Sequence, residues 1–299
     1  MSDLDSPNPH DSVMASGLYV VATPIGHLDD LTLRAAHVLR SAHTVIAEDT
    51  RVTQVLLRHI GANPKQLFAA HNHNEQSTTP KVMALLAAGQ SVALVSDAGT
   101  PGISDPGAII VAAARQSNYP VITIPGASAV VSLISISGDS DGRFWFEGFL
   151  PHSRSGRVKR LNQLKSGLGR FVLYESPHRI ADCLTDVLTV FGSMAQVRLG
   201  RELTKRFEES FVGSINEAIG WVGANPNRCK GEYVLSVFDS VQEEPTDQKA
   251  VIALLTMLLP EVGTNTATKI TASFFNLSKD SVYKLALTCK NRSDDSSVT

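Results

Sequence analysis

Val95-Ser96-Asp97-Ala98-Gly99-Thr100-Pro101-Gly102-Ile103-Ser104-Asp105-Pro106-Gly107 stands directly after the apolar run 91–94 and directly before a segment of helical period. A strand that runs into a small-residue loop and then a helix is the unit of an open parallel α/β sheet. Such sheets bind ligands beyond the carboxyl ends of their strands. Glycine lets the backbone approach a ligand closely, and Asp97 and Thr100 add hydrogen-bonding groups. Pro125-Gly126-Ala127-Ser128-Ala129 and Thr23-Pro24-Ile25-Gly26-His27-Leu28-Asp29-Asp30 close two other apolar runs in the same way. None of the three loops is G-x-G-x-x-G and the chain has no G-x-x-x-x-G-K-[ST], so a dinucleotide dehydrogenase or an NTPase lacks support. Three small-residue loops suit a compact ligand without a phosphate chain.

Outward from these loops, apolar β-branched runs alternate with helix-period segments. Residues 17–23, 44–48, 67–71, 91–97 and 120–125 read as strands of a first α/β unit. Ser104-Asp105-Pro106 and Ser128 read as helix N-cap signals. A second unit begins near FWFEGFLP (144–151), with further strands at 170–176, 196–203 and 231–238 and helices at about 154–166, 178–190 and 214–223. Residues 202–214 alternate in a hairpin-like manner, which predicts a mixed second sheet. After Glu243-Glu244-Pro245 the pattern is helical only, at about 247–259, 264–275 and 279–290. The expected organisation is a disordered lead-in at 1–16, an N-terminal α/β domain at 17–140, a C-terminal α/β domain at 141–242, and a small helical domain with a frayed tail at 243–299.

Bulk properties narrow the class. At 299 residues the chain exceeds what one core usually organises. No apolar run approaches the ~20 residues of a helical span, and the polar N-terminus lacks a signal-peptide pattern, which predicts no membrane and a cytoplasmic location. Cys183, Cys229 and Cys289 are far apart, and His71 and His73 lack a third ligand at metal-binding spacing, so no disulfide framework and no metal are expected. The net charge of −2 conceals a basic centre: residues 143–206 hold 12 Lys/Arg against 5 Asp/Glu, with no acid between Glu147 and Glu175. Arg154, Arg157, Lys159, Arg160, Lys165 and Arg170 therefore offer a phosphate-binding surface, or alternatively a solvated helix face. Tyr19, Phe144, Trp145 and Phe146, within apolar strand runs, read as core rather than base-stacking platforms.

TPIGHLDDLTLRA (23–35), AEDTR (47–51), SDAGTPGISDPG (96–107), PGASA (125–129), FEGFLP (146–151), LYESPHR (173–179), RELTK (201–205) and KGEYVL (230–235) occur in this order. The series resembles that of the ribosomal RNA small subunit methyltransferase I family and spans residues 23–235. His27 departs from it, standing where that family usually has Asn. The resemblance implies the tetrapyrrole-methylase fold: two α/β domains enclosing S-adenosylmethionine in the cleft between them, plus a small C-terminal helical appendage. It implies 2'-O-ribose methylation of a cytidine in the decoding region of 16S ribosomal RNA, by a homodimer. It places Ile25, Asp97, Thr100, Ile103, Ser128 and Ala129 on the methionine and ribose moieties, and Tyr174, Leu203 and Lys230 around the adenine.

A ribose hydroxyl is a weak nucleophile and needs a proton acceptor or an orienting group during methyl transfer. Glu175 and Glu202 close apolar strands near the expected cleft and are candidates; Asp49 and Asp97 compete. Arg179 and Lys205, with Arg154, Arg157, Lys159 and Arg160, are candidates for RNA phosphates, with Arg51 and Arg201 nearby. Two other readings remain open: methylation of a small, tetrapyrrole-like acceptor, and a non-catalytic S-adenosylmethionine- or RNA-binding protein.

Overall fold

The computed structural model describes residues 14–139, 142–167, 169–238, 248–275 and 277–295. The expected boundaries at 140/141 and 242/243, most of the 1–16 lead-in and the last tail residues lie outside them. Two compact units result, Met1–Asp239 and Ser240–Thr299.

The first unit contains two five-stranded sheets. In the N-terminal sheet, β1 (Gly17–Val21), β2 (Thr44–Ala47), β3 (Gln66–Ala69), β4 (Ser91–Val95) and β5 (Val121–Ile124) run parallel in the order β3-β2-β4-β1-β5. Period-two side-chain alternation explains how these continuous apolar runs serve two cores. Tyr19, Val21, Val45, Ala47, Ala93 and Val95 pack on α1 (Leu33–Ser41) and α2 (Thr50–His59). The intervening Leu18, Ile46, Val92 and Leu94 pack on α3 (Glu75–Ala87) and α4 (Ala108–Gln116).

The second sheet is mixed, as the alternation at 202–214 predicts. Its strands are β6 (Trp145–Phe149), β7 (Arg170–Glu175), β8 (Gln196–Arg201), β9 (Glu209–Ser214) and β10 (Tyr233–Phe238), in the order β6-β7-β10-β8-β9. Only β6 and β7 pair in parallel. Phe171 and Leu173 face α6 (Arg154–Gly167), α7 (Ile180–Phe191) and α8 (Ile215–Gly223). On the other face, Val172 and Val234 meet Val130 and Leu133 of α5 (Ala129–Ile136), together with Ile25 and Leu203. That shared core joins the two sheets and forms the floor of a cleft.

Phe144 and Trp145 do not join the core. Trp145 is 49% exposed on edge strand β6, its indole N–H donating to Glu147. Tyr19 is buried as expected.

The second unit is built of three helical segments, the two pieces of α9 (Gln248–Phe274) and α10 (Lys279–Asp295), cored by Val251, Leu255, Ala267, Ala272, Val282 and Ala286. Ala250–Phe274 is long and apolar enough by length and composition to cross a membrane. Gly263, at φ 72° and ψ 164°, breaks it. The pieces on either side, 248–262 and 264–274, each fall short of the ~20 residues a span requires. The same break separates the two helices that the sequence pattern predicts there.

Candidate active site

The three glycine-containing loops meet at the carboxyl ends of the N-terminal strands because their backbones are laced together. Thr23 and Gly99 exchange backbone hydrogen bonds at 2.8 and 3.1 Å, and the Thr100 hydroxyl donates to the Ala127 carbonyl at 3.4 Å. The expected cap at Ser104-Asp105-Pro106 does not form: α4 begins at Ala108, after Gly107 at φ 128°. Its N-terminal amides are satisfied from a distance. One carboxylate oxygen of buried Glu75 accepts from the N–H groups of Gly107, Ile109 and Ile110 at 3.0, 2.8 and 3.2 Å. A carboxylate at a helix N-terminus also meets the positive end of the dipole, so Glu75 pins the end of the 96–107 loop. Glu75→Ala is expected to lower stability by about 2 kcal/mol, with Glu75→Gln milder; urea unfolding of the three proteins checks this.

Opposite these loops lie the ends of β7, β8 and β10. Gly26 approaches the 203–205 turn so closely that a Cβ there would lie 2.5 Å from Lys205 Cγ, and the His27 N–H donates to the Thr204 hydroxyl at 3.1 Å. The cavity between them, ≈ 440 Å³ and open to solvent on one side, has an apolar wall of Ile25, Ile103, Ala129, Leu203, Tyr174 and Val234. Its polar fringe includes Thr100, Ser128, Asp105, Glu202, Glu232 and Lys205. Ser128 is the N-cap residue of α5, yet its hydroxyl caps no backbone N–H. Burial, and then the charge of Asp105, push the Tyr174 phenol up to about 12, so it stays protonated as a donor. Burial likewise raises the carboxyl of Asp105.

Seven of the nine expected cofactor residues therefore line one cavity: Ile25, Thr100, Ile103, Ser128, Ala129, Tyr174 and Leu203. Asp97 and Lys230 do not. Asp97 instead accepts the Asp49 N–H at 3.0 Å, joining two loops, and Lys230 lines an adjacent pocket. Sequence reasoning missed Asp105 as a lining residue because it looked like part of a helix cap.

The two candidate acids separate clearly. Strand alternation turns the Glu175 side chain to the face of Phe171 and Leu173, where its carboxylate is fully buried, 3.3 Å from Arg179. Burial raises its pKa, with Arg179, Arg157 and Cys183 among the opposing influences. Glu175 thus lines the cavity at the end of β7 while its buried carboxylate belongs to a charge cluster with Arg179 and Arg157. Glu202 has left-handed backbone, φ 50°, costly for a residue other than glycine. Gly231 makes room for it: a Cβ there would lie 2.5 Å from Glu202 Cγ. Glu202 Oε1 accepts from the Glu232 N–H at 2.8 Å and Lys205 Nζ at 2.9 Å. Burial works against ionisation of Glu202, but these bonds outweigh it and hold the carboxyl below its ordinary pKa. Asp49 faces outward with Arg51, whose hydrogen bonds hold it at about 2.

The expected RNA cations also divide. Arg157 is 4% exposed and donates to Asp186 at 2.7 Å, so its assignment to a phosphate surface is corrected. Arg179 is committed to the carbonyls of Leu150 and Pro151 and to Glu175. Arg160 forms a two-pronged contact with Glu147 at 2.6 and 2.7 Å. Arg154 is largely exposed although it reaches Asp186, Lys205 lines the cleft, and Lys159 is exposed on α6.

A profile of Tetrapyrrole (Corrin/Porphyrin) Methylases matches residues 17–219. Ribosomal RNA small subunit methyltransferase I of Xylella fastidiosa is 42% identical over 269 residues, covering 89% of this chain and 97% of its own. The protein of the same name from Escherichia coli O157:H7 is 42% identical over 273 residues, covering 90% and 94%. Among solved structures, a Thermus thermophilus uroporphyrin-III C-methyltransferase complexed with S-adenyl homocysteine shares the fold, with TM-score 0.51, 17% identity and coverage of 76% of this chain and 99% of that one. The chain therefore belongs to the tetrapyrrole (corrin/porphyrin) methylases and, among them, to the ribosomal RNA small subunit methyltransferase I family.

Proposed function

We propose that this protein transfers a methyl group from S-adenosylmethionine to the ribose 2'-oxygen of a cytidine in the decoding region of small-subunit ribosomal RNA, working in the cytoplasm as a homodimer. The observation that carries the reading is the cleft itself: an apolar pocket closed by three glycine-containing loops and fringed by carboxylates, in a chain whose close relatives are named for small-subunit ribosomal RNA. The residues fit the cofactor. Ile25, Ile103, Ala129 and Leu203 offer an apolar bed, Tyr174 a neutral donor, and Asp105 a negative charge toward a sulfonium.

When bound, the sulfonium supplies an electrophilic methyl carbon. The protein's task is to hold an attacking oxygen in line with the methyl–sulfur bond and to accept the hydroxyl proton. Glu202 is the acceptor: one oxygen is tethered by Glu232 and Lys205, leaving Oε2 for the ribose hydroxyl. Lys159, Arg154 and Lys205 contact RNA phosphates.

The test is transfer of radiolabelled methyl from S-adenosylmethionine to small ribosomal subunits and to naked small-subunit RNA, followed by nucleoside analysis. The expected product is 2'-O-methylcytidine. Label in a base, or no transfer to either RNA, overturns the proposal. Light scattering tests the dimer, whose candidate surface includes the exposed Val131 and Ile136 of α5.

A further inference from the structure

A second pocket, ≈ 620 Å³, opens beside the cleft and shares Glu202 with it. It is lined by Arg206, Phe207, Asn225, Asn227 and Lys230 as well as the Arg201–Glu209 pair. Its acids are already engaged. Glu209 takes Arg201 on one oxygen and Arg228 on the other, and Glu208 accepts the Thr204 N–H. Arg206 and Lys230 form no ion pair with any described residue, although Arg206 lies 5.5 Å from the Phe207 ring. Phe207 is 63% exposed in the turn between β8 and β9, where burial gives no reason for an aromatic side chain. The Asn227 side-chain amide has no partner among the described residues and the Asn225 amide nitrogen is likewise unused, so both remain available to a base edge.

We infer that this pocket holds a nucleotide next to the methylated one in the RNA strand, with its base stacked on Phe207 and its phosphate neutralised by Arg206 and Lys230. The inference rests on the proposed RNA reaction and adds a subsite to it. A base presents a flat face to an aromatic ring whatever its identity, and a free cation pair beside such a ring is the usual partner of single-stranded backbone. The shared Glu202 wall sets the neighbouring nucleotide one step from the ribose being methylated. Splaying the strand between two pockets would also explain how a ribose hydroxyl is isolated from its stacked neighbours.

The experiment compares wild type, Phe207→Ala, Phe207→Tyr and the double variant Arg206→Ala/Lys230→Ala, using the RNA form that wild type methylates. Phe207→Ala is expected to raise the RNA KM about tenfold, whereas Phe207→Tyr, which keeps the ring, stays near wild type. The double variant is expected to flatten the dependence of RNA affinity on salt by about one to two counterions. S-adenosylmethionine affinity by calorimetry should be unchanged in the two Phe207 variants. Phe207→Ala with wild-type KM, or a double variant with unaltered salt dependence, overturns the subsite while leaving the methylation intact. A loss of cofactor affinity equal to the loss in RNA KM overturns it in favour of a purely structural role. A wild type that methylates no RNA overturns the parent reading and this one together.

Discussion

Glu202→Gln lowers kcat about a hundredfold or more and leaves cofactor affinity within a few-fold of wild type. The substitution keeps the size of the side chain and leaves an amide oxygen that can still face the Glu232 N–H or Lys205. What it removes is the negative charge and one acceptor oxygen, the features needed to take a ribose proton. Single-turnover methyl transfer, which excludes product release, is the measurement. Asp105 is the rival acceptor, and pH separates the two. Burial raises Asp105, whereas the Glu232 and Lys205 bonds outweigh burial and lower Glu202. If Glu202 is the acceptor, wild-type activity holds down to the ordinary carboxylate range, because Glu202 stays ionised there. If Asp105 is the acceptor, activity falls as pH drops through a value above that range, and Asp105→Asn abolishes this limb while Glu202→Gln keeps it. Stability follows the same sign. The contribution of Glu202, its folded pKa being depressed, is complete above the unfolded value and is lost as pH falls through the folded one.

Most of the fold was legible because its signals are local. Parallel strands covered on both faces read as unbroken apolar runs, and each loop after them advertised itself with Gly, Pro and Ser. The seven cleft residues came from those loops and from the strand ends facing them. What stayed hidden depends on contacts across the fold. Glu75 lies more than thirty residues from the amides it caps, and nothing in its own neighbourhood marks it. Two side-chain placements could have been read from spacing. Glu175 continues the alternation of Phe171 and Leu173, which directs its carboxylate inward although the residue lines the cavity at the strand end. Arg157 precedes Leu161 and Leu164 at helical spacing, so it sits on the buried stripe of α6 and not on its solvent face. Phe207 was obscured by reading 202–214 as a continuous hairpin, whereas β9 begins only at Glu209.

Asp186→Ala is expected to cost about 3–5 kcal/mol of stability, the range for removing one partner of a buried ion pair. Asp186 occupies the apolar stripe of α7 just as Arg157 occupies that of α6, and the two meet at 2.7 Å with 1% and 4% of their surfaces exposed. Arg154 reaches the other Asp186 oxygen at 3.0 Å from a largely solvated position, so it loses far less than Arg157 when Asp186 is removed. Without Asp186, the Arg157 guanidinium keeps the His152 carbonyl as its acceptor among the described residues, and the nearby buried Glu175, already paired with Arg179, neutralises it only in part. Denaturant unfolding measures the loss; a change below about 1 kcal/mol would mean that the pair behaves as if solvated. Arg157→Glu is harsher, because it sets a second carboxylate against Asp186, and any RNA-binding defect it shows would report misfolding. Lys159→Glu is the informative counterpart on the same helix. It is exposed, so its melting temperature should match wild type, while RNA affinity falls and its salt dependence drops by about one counterion. If Lys159→Glu left RNA binding untouched, α6 would be a structural helix whose positive charge serves the core and Glu147 alone.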